Sequence, residues 1–255
     1  MKKAIIYTLA FAVIQIAMTQ LVQLFYGLMS DKETASLSAN QMIISMTASS
    51  IVVFALFLYL HWAEVSRSYV RSRPWATLFW CALAAVGAII PSECVQELMP
   101  PLPNIVEEEF DVILQNRWGY FAIGLFAPVC EELVFRGAIL RALLHWTPRH
   151  WLAIVISALL FALIHANPAQ MPHAFLIGLL LGWLYYRTDS VVPGVVYHWV
   201  NNSIAYVVYN FYPDPQMKLL DLFGSQRTVV AAVLFSLLIL LPALYQLNLR
   251  LRKAK

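Results

Sequence analysis

The sequence predicts an all-α, polytopic transmembrane bundle with about eight spans. Three observations carry that expectation. Of the 255 residues, 61% are hydrophobic and only 12% are charged, with a mean hydropathy of +0.69; a soluble domain has about a quarter of its residues charged. The apolar residues come in runs long enough to cross about 30 Å of hydrocarbon as helices. Between the runs, the sign of the charges alternates along the chain. No Gly/Ser-rich linker or charge-rich block divides it, so residues 1–255 read as a single integral membrane domain.

The first apolar run is Ala4–Met29, the second Gln41–Trp62 and the third Trp75 to about Ile90. The fourth is Trp118–Leu144, the fifth Trp151–His165, the sixth His173–Tyr186, the seventh Val191–Tyr212 and the eighth Arg227–Leu249. The fifth and sixth are short for full crossings, which predicts tilt within the bundle or extension into their loops. Lys2 and Lys3 precede a run too long for a cleavable signal peptide, and no small-residue cleavage site follows it. Cys81, Cys94 and Cys130 are scattered and form no C-x-x-C pair, so neither a disulfide framework nor a cysteine zinc site is expected.

Lys2, Lys3, Arg67, Arg71, Arg73, Arg149, Arg187 and the tail Arg250, Arg252, Lys253 and Lys255 fall on one side of the spans. Asp31, Glu33, Glu93, Glu97, Glu107, Glu108, Glu109, Asp111, Asp214 and Asp221 fall on the other. The positive-inside rule makes the basic side cytoplasmic. Both termini are then cytoplasmic, as an even number of spans requires. Between Pro91 and Arg117, Pro100, Pro101 and Pro103 oppose helix. Beyond them Val106, Phe110, Ile113 and Leu114 share one face of a short amphipathic helix on the outer surface, with Asn104 as its expected cap. The G-x-x-x-G of Gly178 and Gly182 in the sixth span reads as a close-packing face. The net charge of +3 is no nucleic-acid footprint, and the apolar runs make the lipid bilayer the expected partner.

The fourth run contains C-E-E-L-V-F-R, Cys130 to Arg136. A charged residue near a span's centre costs on the order of 3 kcal/mol on insertion scales, so three together point to function. Arg136 lies one turn beyond Glu132 and can pair with it, while Glu131 is rotated about 100° away and is free to face a cavity. Two polar pairs follow in later spans: Phe161 with His165, and His198 with Asn202, which has Asn201 beside it. Each spacing of four puts both side chains on one helical face. His61, His145, His150 and His173 sit at helix ends or in loops, where histidine needs no special explanation. Glu131 with a histidine can activate water. A second histidine with an amide can donate to the oxyanion of a tetrahedral intermediate. No serine or cysteine accompanies the histidines as a nucleophile. Glu131, His165 and His198 are also competent zinc ligands, though no H-E-x-x-H is present. Any one pair alone reads equally as an interhelical hydrogen bond or, for Glu131 and His165, as a transporter's proton relay, against which stands the lack of paired discontinuous spans in two matching halves.

The order E-E-x-x-x-R, F-x-x-x-H, H-x-x-x-N, with G-L-L-L-G-W-L-Y-Y-R-T-D-S between the last two, resembles the CPBP family of intramembrane proteases. That family groups type II CAAX prenyl proteases with bacteriocin-processing and immunity-associated proteins. The resemblance covers residues 118–212, a protease-like core. It implies an intramembrane endopeptidase with a peptide or protein substrate, in which Glu131 activates water with His165 as its partner, and His198 and Asn202 form the oxyanion site. It further implies that Glu132 and Arg136 support the first helix and that Phe161 packs near the site. Although the family is often labelled metalloprotease, the resemblance favours a glutamate-dependent mechanism without cofactor. Zinc on Glu131, His165 and His198 stays open as the alternative. The compact chain is similar to bacterial members, which implies an inner (plasma) membrane and makes a prenylated substrate doubtful. A non-catalytic toxin-immunity or membrane binding protein on the same fold is the competing expectation.

Overall fold

The computed structural model describes residues 1–29, 37–214 and 217–252, and among them every regular element is helical. In chain order these are α1 (Lys2–Met29), α2 (Ala39–Tyr59), the short α3 (Arg67–Arg71), α4 (Trp75–Glu97) and α5 (Glu107–Leu114). Next come α6 (Ala127–Glu132), α7 (Arg141–Trp146), α8 (His150–Ile164) and α9 (Met171–Thr188), then α10 (Val192–Phe211), α11 (Leu219–Phe223) and α12 (Gln226–Arg250). Two π-helical stretches, Tyr120–Phe126 and Leu133–Leu140, flank α6 and join it to α7 in one continuous central helix. Asp31, Glu33, Lys253 and Lys255, which entered the expected charge pattern, lie outside the described residues.

Helices α1, α2, α4 and α12 are each long and apolar enough to cross a membrane. Their side chains are largely uncovered: only 6% of the most apolar window of α1 is buried. Such a surface would drive aggregation in water and suits hydrocarbon. The central helix is the opposite case. Every residue from Glu132 to Leu140 is buried, packed by α1, α2, α8 and α9. A helix apolar all round, with its few charges paired, belongs in the middle of a bundle. Helices α8, α9 and α10 complete the inner group. In α9, a Cβ on Gly178 would come within 3.0 Å of Ala158, and one on Gly182 within 2.9 Å of Ile154. The G-x-x-x-G is thus a close contact with α8, as expected.

Two sequence readings need correction. The helix of the third span continues through Pro91 to Glu97, beyond the expected end at about Ile90. Pro91 removes one backbone bond, to Gly87, without ending a helix held by its neighbours. Gly87 marks one such neighbour, since a Cβ there would lie 2.6 Å from the Leu240 backbone nitrogen of α12. Second, the amphipathic helix forms at α5 but Asn104 does not cap it; Val106 occupies that position without a side-chain bond. Asn104 Oδ1 accepts instead from Asn167 Nδ2 at 2.8 Å. The apolar face of α5 is covered by protein: Ile113 clusters with Ile43, Ala122 and Ile123.

The loops gather at two ends. At one end Arg141 pairs with Glu64 at 2.8 Å, and Arg187 donates to Asn248 Oδ1 at 2.9 Å and to Leu251 O at 3.4 Å. At the other, Asn116 donates to Asn40, Asn210 to Leu114 O, and the Leu219 N–H to Glu97. The first end holds Arg141 and Arg187 and the second holds Glu97.

Candidate active site

The three motifs meet on one imidazole. His198, on the buried face of α10, has its Nδ1 3.2 Å from Glu132 Oε1 and its Nε2 3.8 Å from Glu131 Oε2. Glu132 Oε1 also accepts from Arg136 Nη1 at 2.7 Å. A carboxylate facing Nδ1 fixes the proton on that nitrogen, so the Nε2 edge is the one turned toward Glu131. Glu132 is fully buried, whereas the Glu131 side chain is 19% exposed. The two neighbouring carboxylates therefore divide their tasks as the helical geometry predicts: one is held inside an ion pair, the other reaches open space.

Arg136 is 1% exposed and held on three sides. Besides Glu132, it donates from Nη2 to the Gly178 carbonyl at 3.3 Å, and its guanidinium lies 4.3 Å from the ring centroid of Phe161. Phe161 then meets both histidines edge-on, at 5.0 Å from His165 and 5.8 Å from His198. His165 caps the C-terminus of α8 with its Nδ1 2.8 Å from the Phe161 carbonyl, which again leaves Nε2 as the outward nitrogen. The imidazole that stands 3.8 Å from the Glu131 carboxylate is that of His198. Asn202, one turn beyond His198, donates from Nδ2 to the Ile123 carbonyl at 3.0 Å and accepts from Asn201 Nδ2 at 3.3 Å.

Three residues of the site escape the sequence reading. His173, at the start of α9, stands within electrostatic reach of both His165 and His198. Its offset of eight from His165 spans a turn, so no helical periodicity links them. Asn167 is fully buried two residues after His165; its Oδ1 accepts from the Ile105 N–H at 3.2 Å. Gly194 lies four residues before His198, so a G-x-x-x-H-x-x-x-N face was there to be read. A Cβ at Gly194 would come within 2.5 Å of Glu132 Oε2, so only glycine lets α10 lie this close to the central helix. Among the described residues no three His, Cys, Asp or Glu side chains are gathered as a metal-holding set. All three cysteines are free thiols.

Comparison with known proteins bears on the same region. Residues 113–204 match the family described as Type II CAAX prenyl endopeptidase Rce1-like. The chain is 28% identical over 117 residues to UPF0177 protein YbdI of Lactococcus lactis subsp. lactis (strain IL1403), covering 44% of this chain and 62% of that one. It is 27% identical over 104 residues to UPF0177 protein YxdF of the same organism, covering 40% of this chain and 52% of that one. The match thus spans less than two thirds of the length of either curated relative. No solved structure matches. Over residues 113–204, the stretch that carries the E-E-x-x-x-R, F-x-x-x-H and H-x-x-x-N residues, the chain is similar to the type II CAAX prenyl endopeptidase Rce1-like family.

Proposed function

We propose that the chain is an intramembrane endopeptidase that hydrolyses a peptide bond of a membrane-associated substrate with water activated by Glu131. The observation that carries the reading is the convergence on His198: two carboxylates, 66 and 67 positions away in sequence, meet one imidazole inside an apolar bundle. Glu131 is the carboxylate with access to solvent, and it takes a proton from a water held between it and His165. The hydroxide adds to the substrate carbonyl. The oxyanion is met by His198 Nε2 and by the Asn202 amide, side by side on α10. Glu131 then returns its proton to the leaving amine. With Nδ1 engaged by Glu132, His198 donates to an oxyanion as an imidazolium. Glu131 and Glu132 are then balanced by Arg136 and His198, so a site in a low-dielectric bundle carries no net charge. Glu132, Arg136 and Phe161 hold this arrangement without touching substrate. The charge pattern supports a cytoplasmic basic end, and the likeness to bacterial proteins supports an inner-membrane location.

The test begins in cells, by comparing membrane proteomes with the wild-type chain and with Glu131→Gln. A substrate appears as a protein whose shortened form requires the wild type. On that substrate, purified Glu131→Gln should lose at least ~10²-fold in rate while still inserting, because the amide takes no proton. The wild type should keep its activity in a strong chelator. Full cleavage by Glu131→Gln overturns the general-base role. Loss on chelation with recovery on added zinc overturns the metal-free mechanism. Protection from a toxin that survives Glu131→Gln, with no cleaved protein, would favour an immunity protein.

A further inference from the structure

The first π-helical stretch ends with a bond from the Ala127 N–H to the Ala122 carbonyl, five residues back. In that register the next carbonyl, Ile123, looks to residue 128. Residue 128 is proline, which has no N–H. The N–H of Ala127, the partner an α-helical register would supply, is already engaged. Ile123 is only 9% exposed, so its carbonyl is poorly placed for water, and a buried carbonyl without a donor is costly. The donor it receives is Asn202 Nδ2, from α10, at 3.0 Å. Asn201 meets the other end of the same amide, at Asn202 Oδ1. A primary amide has two N–H groups. With one on Ile123 and the oxygen on Asn201, its plane is fixed and a single N–H is left for a ligand.

We propose that Pro128 is a positioning residue for Asn202: the N–H it lacks leaves the Ile123 carbonyl as the anchor that sets the Asn202 amide for oxyanion donation. This deepens the reading of Asn202 as an oxyanion donor and rests on it. The device lies three residues before Glu131, so the helix that carries the base also orients the group that meets the oxyanion. It explains why an interhelical hydrogen bond from a motif residue ends on a backbone carbonyl in the middle of a helix, where carbonyls are normally satisfied within the helix.

Pro128→Ala supplies the missing N–H and should free Asn202 from its anchor. On the substrate identified from the membrane comparison, kcat should fall about tenfold with KM little changed. A thermal cycle with purified protein needs no substrate. Asn202→Ala should lower Tm in the wild type, and by less than half as much in the Pro128→Ala background, where Ile123 has its own donor. A third measurement needs no change at position 128. In wild-type protein selectively labelled with 15N-asparagine, one Asn202 side-chain proton should be protected from exchange and the other not. Additive Tm losses, two equally exchanging protons, or wild-type turnover in Pro128→Ala would each overturn the proposal. The outcomes separate it from the protease reading. An unchanged product pattern in Glu131→Gln with coupled Tm losses sinks the protease and, with it, the catalytic purpose of the anchor. Lost turnover in Glu131→Gln with additive Tm losses sinks only the role of Pro128.

Discussion

Arg136 would be among the most expensive side chains to bury in this chain were it not for Glu132. The pair is 2.7 Å apart with 1% and 0% exposure, and the guanidinium has a carbonyl and an aromatic face as further partners. Such a pair contributes little net stability compared with a well-packed apolar replacement, but breaking it strands a charge. Arg136→Ala should therefore cost about 3–5 kcal/mol, as the Glu132 carboxylate stays buried with His198 as its remaining partner. Thermal unfolding of the purified variant, with and without Glu132→Gln, checks this. Recovery of stability when both charges are removed is expected, and equal losses in single and double variants would contradict it. The pair was legible in the sequence because both residues lie on one helix four positions apart. His173 was not, because its proximity to His165 and His198 depends on how two helices are joined.

The turn between α8 and α9 is the element that decides where His165 stands. Ala166, immediately after it, has a φ of 49°, a left-handed conformation that a non-glycine residue adopts at a cost of about 1–2 kcal/mol. Asn167 holds the turn in that shape. Its carbonyl accepts from the N–H groups of Gln170 and Met171, which starts α9, and its side chain bonds both Ile105 N–H and Asn104 Oδ1. The proline-rich segment of the outer loop is thereby clipped over the turn, with the Ala169 N–H donating to the Pro103 carbonyl as a third contact. Asn167→Ala removes two side-chain bonds, worth about 1–3 kcal/mol together. We expect faster hydrogen exchange at Ile105 and Ala169, with the amides of α12 unchanged. Uniform acceleration across the protein would mean global destabilisation instead. The three prolines predicted a non-helical loop; what it fastens to was invisible, since the partners are 62 and 63 positions apart.

At the scale of the whole molecule, an outer set of lipid-suited helices surrounds an inner group that carries the polar residues. The burial pattern follows from this: α1 leaves its apolar residues uncovered, while the central helix buries every residue from Glu132 to Leu140. The alternation of charge along the sequence predicts an orientation that is open to a direct experiment. Reporter fusions within Arg67–Arg73 should report cytoplasm and those between Leu98 and Asp111 the opposite side. A cytoplasmic Glu107 would invert the orientation, and mixed reports from loops of one sign would break the span assignment.

By itself the sequence determined the class of the protein, the approximate spans and the residues to watch. These follow from composition, run length and a periodicity of four, which act within single helices and are visible in one dimension. The correction at Pro91 arises where a local rule, that proline ends a helix, meets packing strong enough to carry the helix on. The tertiary structure alone decided that His198 lies against both carboxylates and that Gly194 admits the approach. It alone also put Asn202 on a carbonyl that a proline leaves without a donor. Each of these is a contact between helices, set by how closely the chain's backbones approach and which buried polar atoms still need a partner. No pattern along one helix encodes that distance.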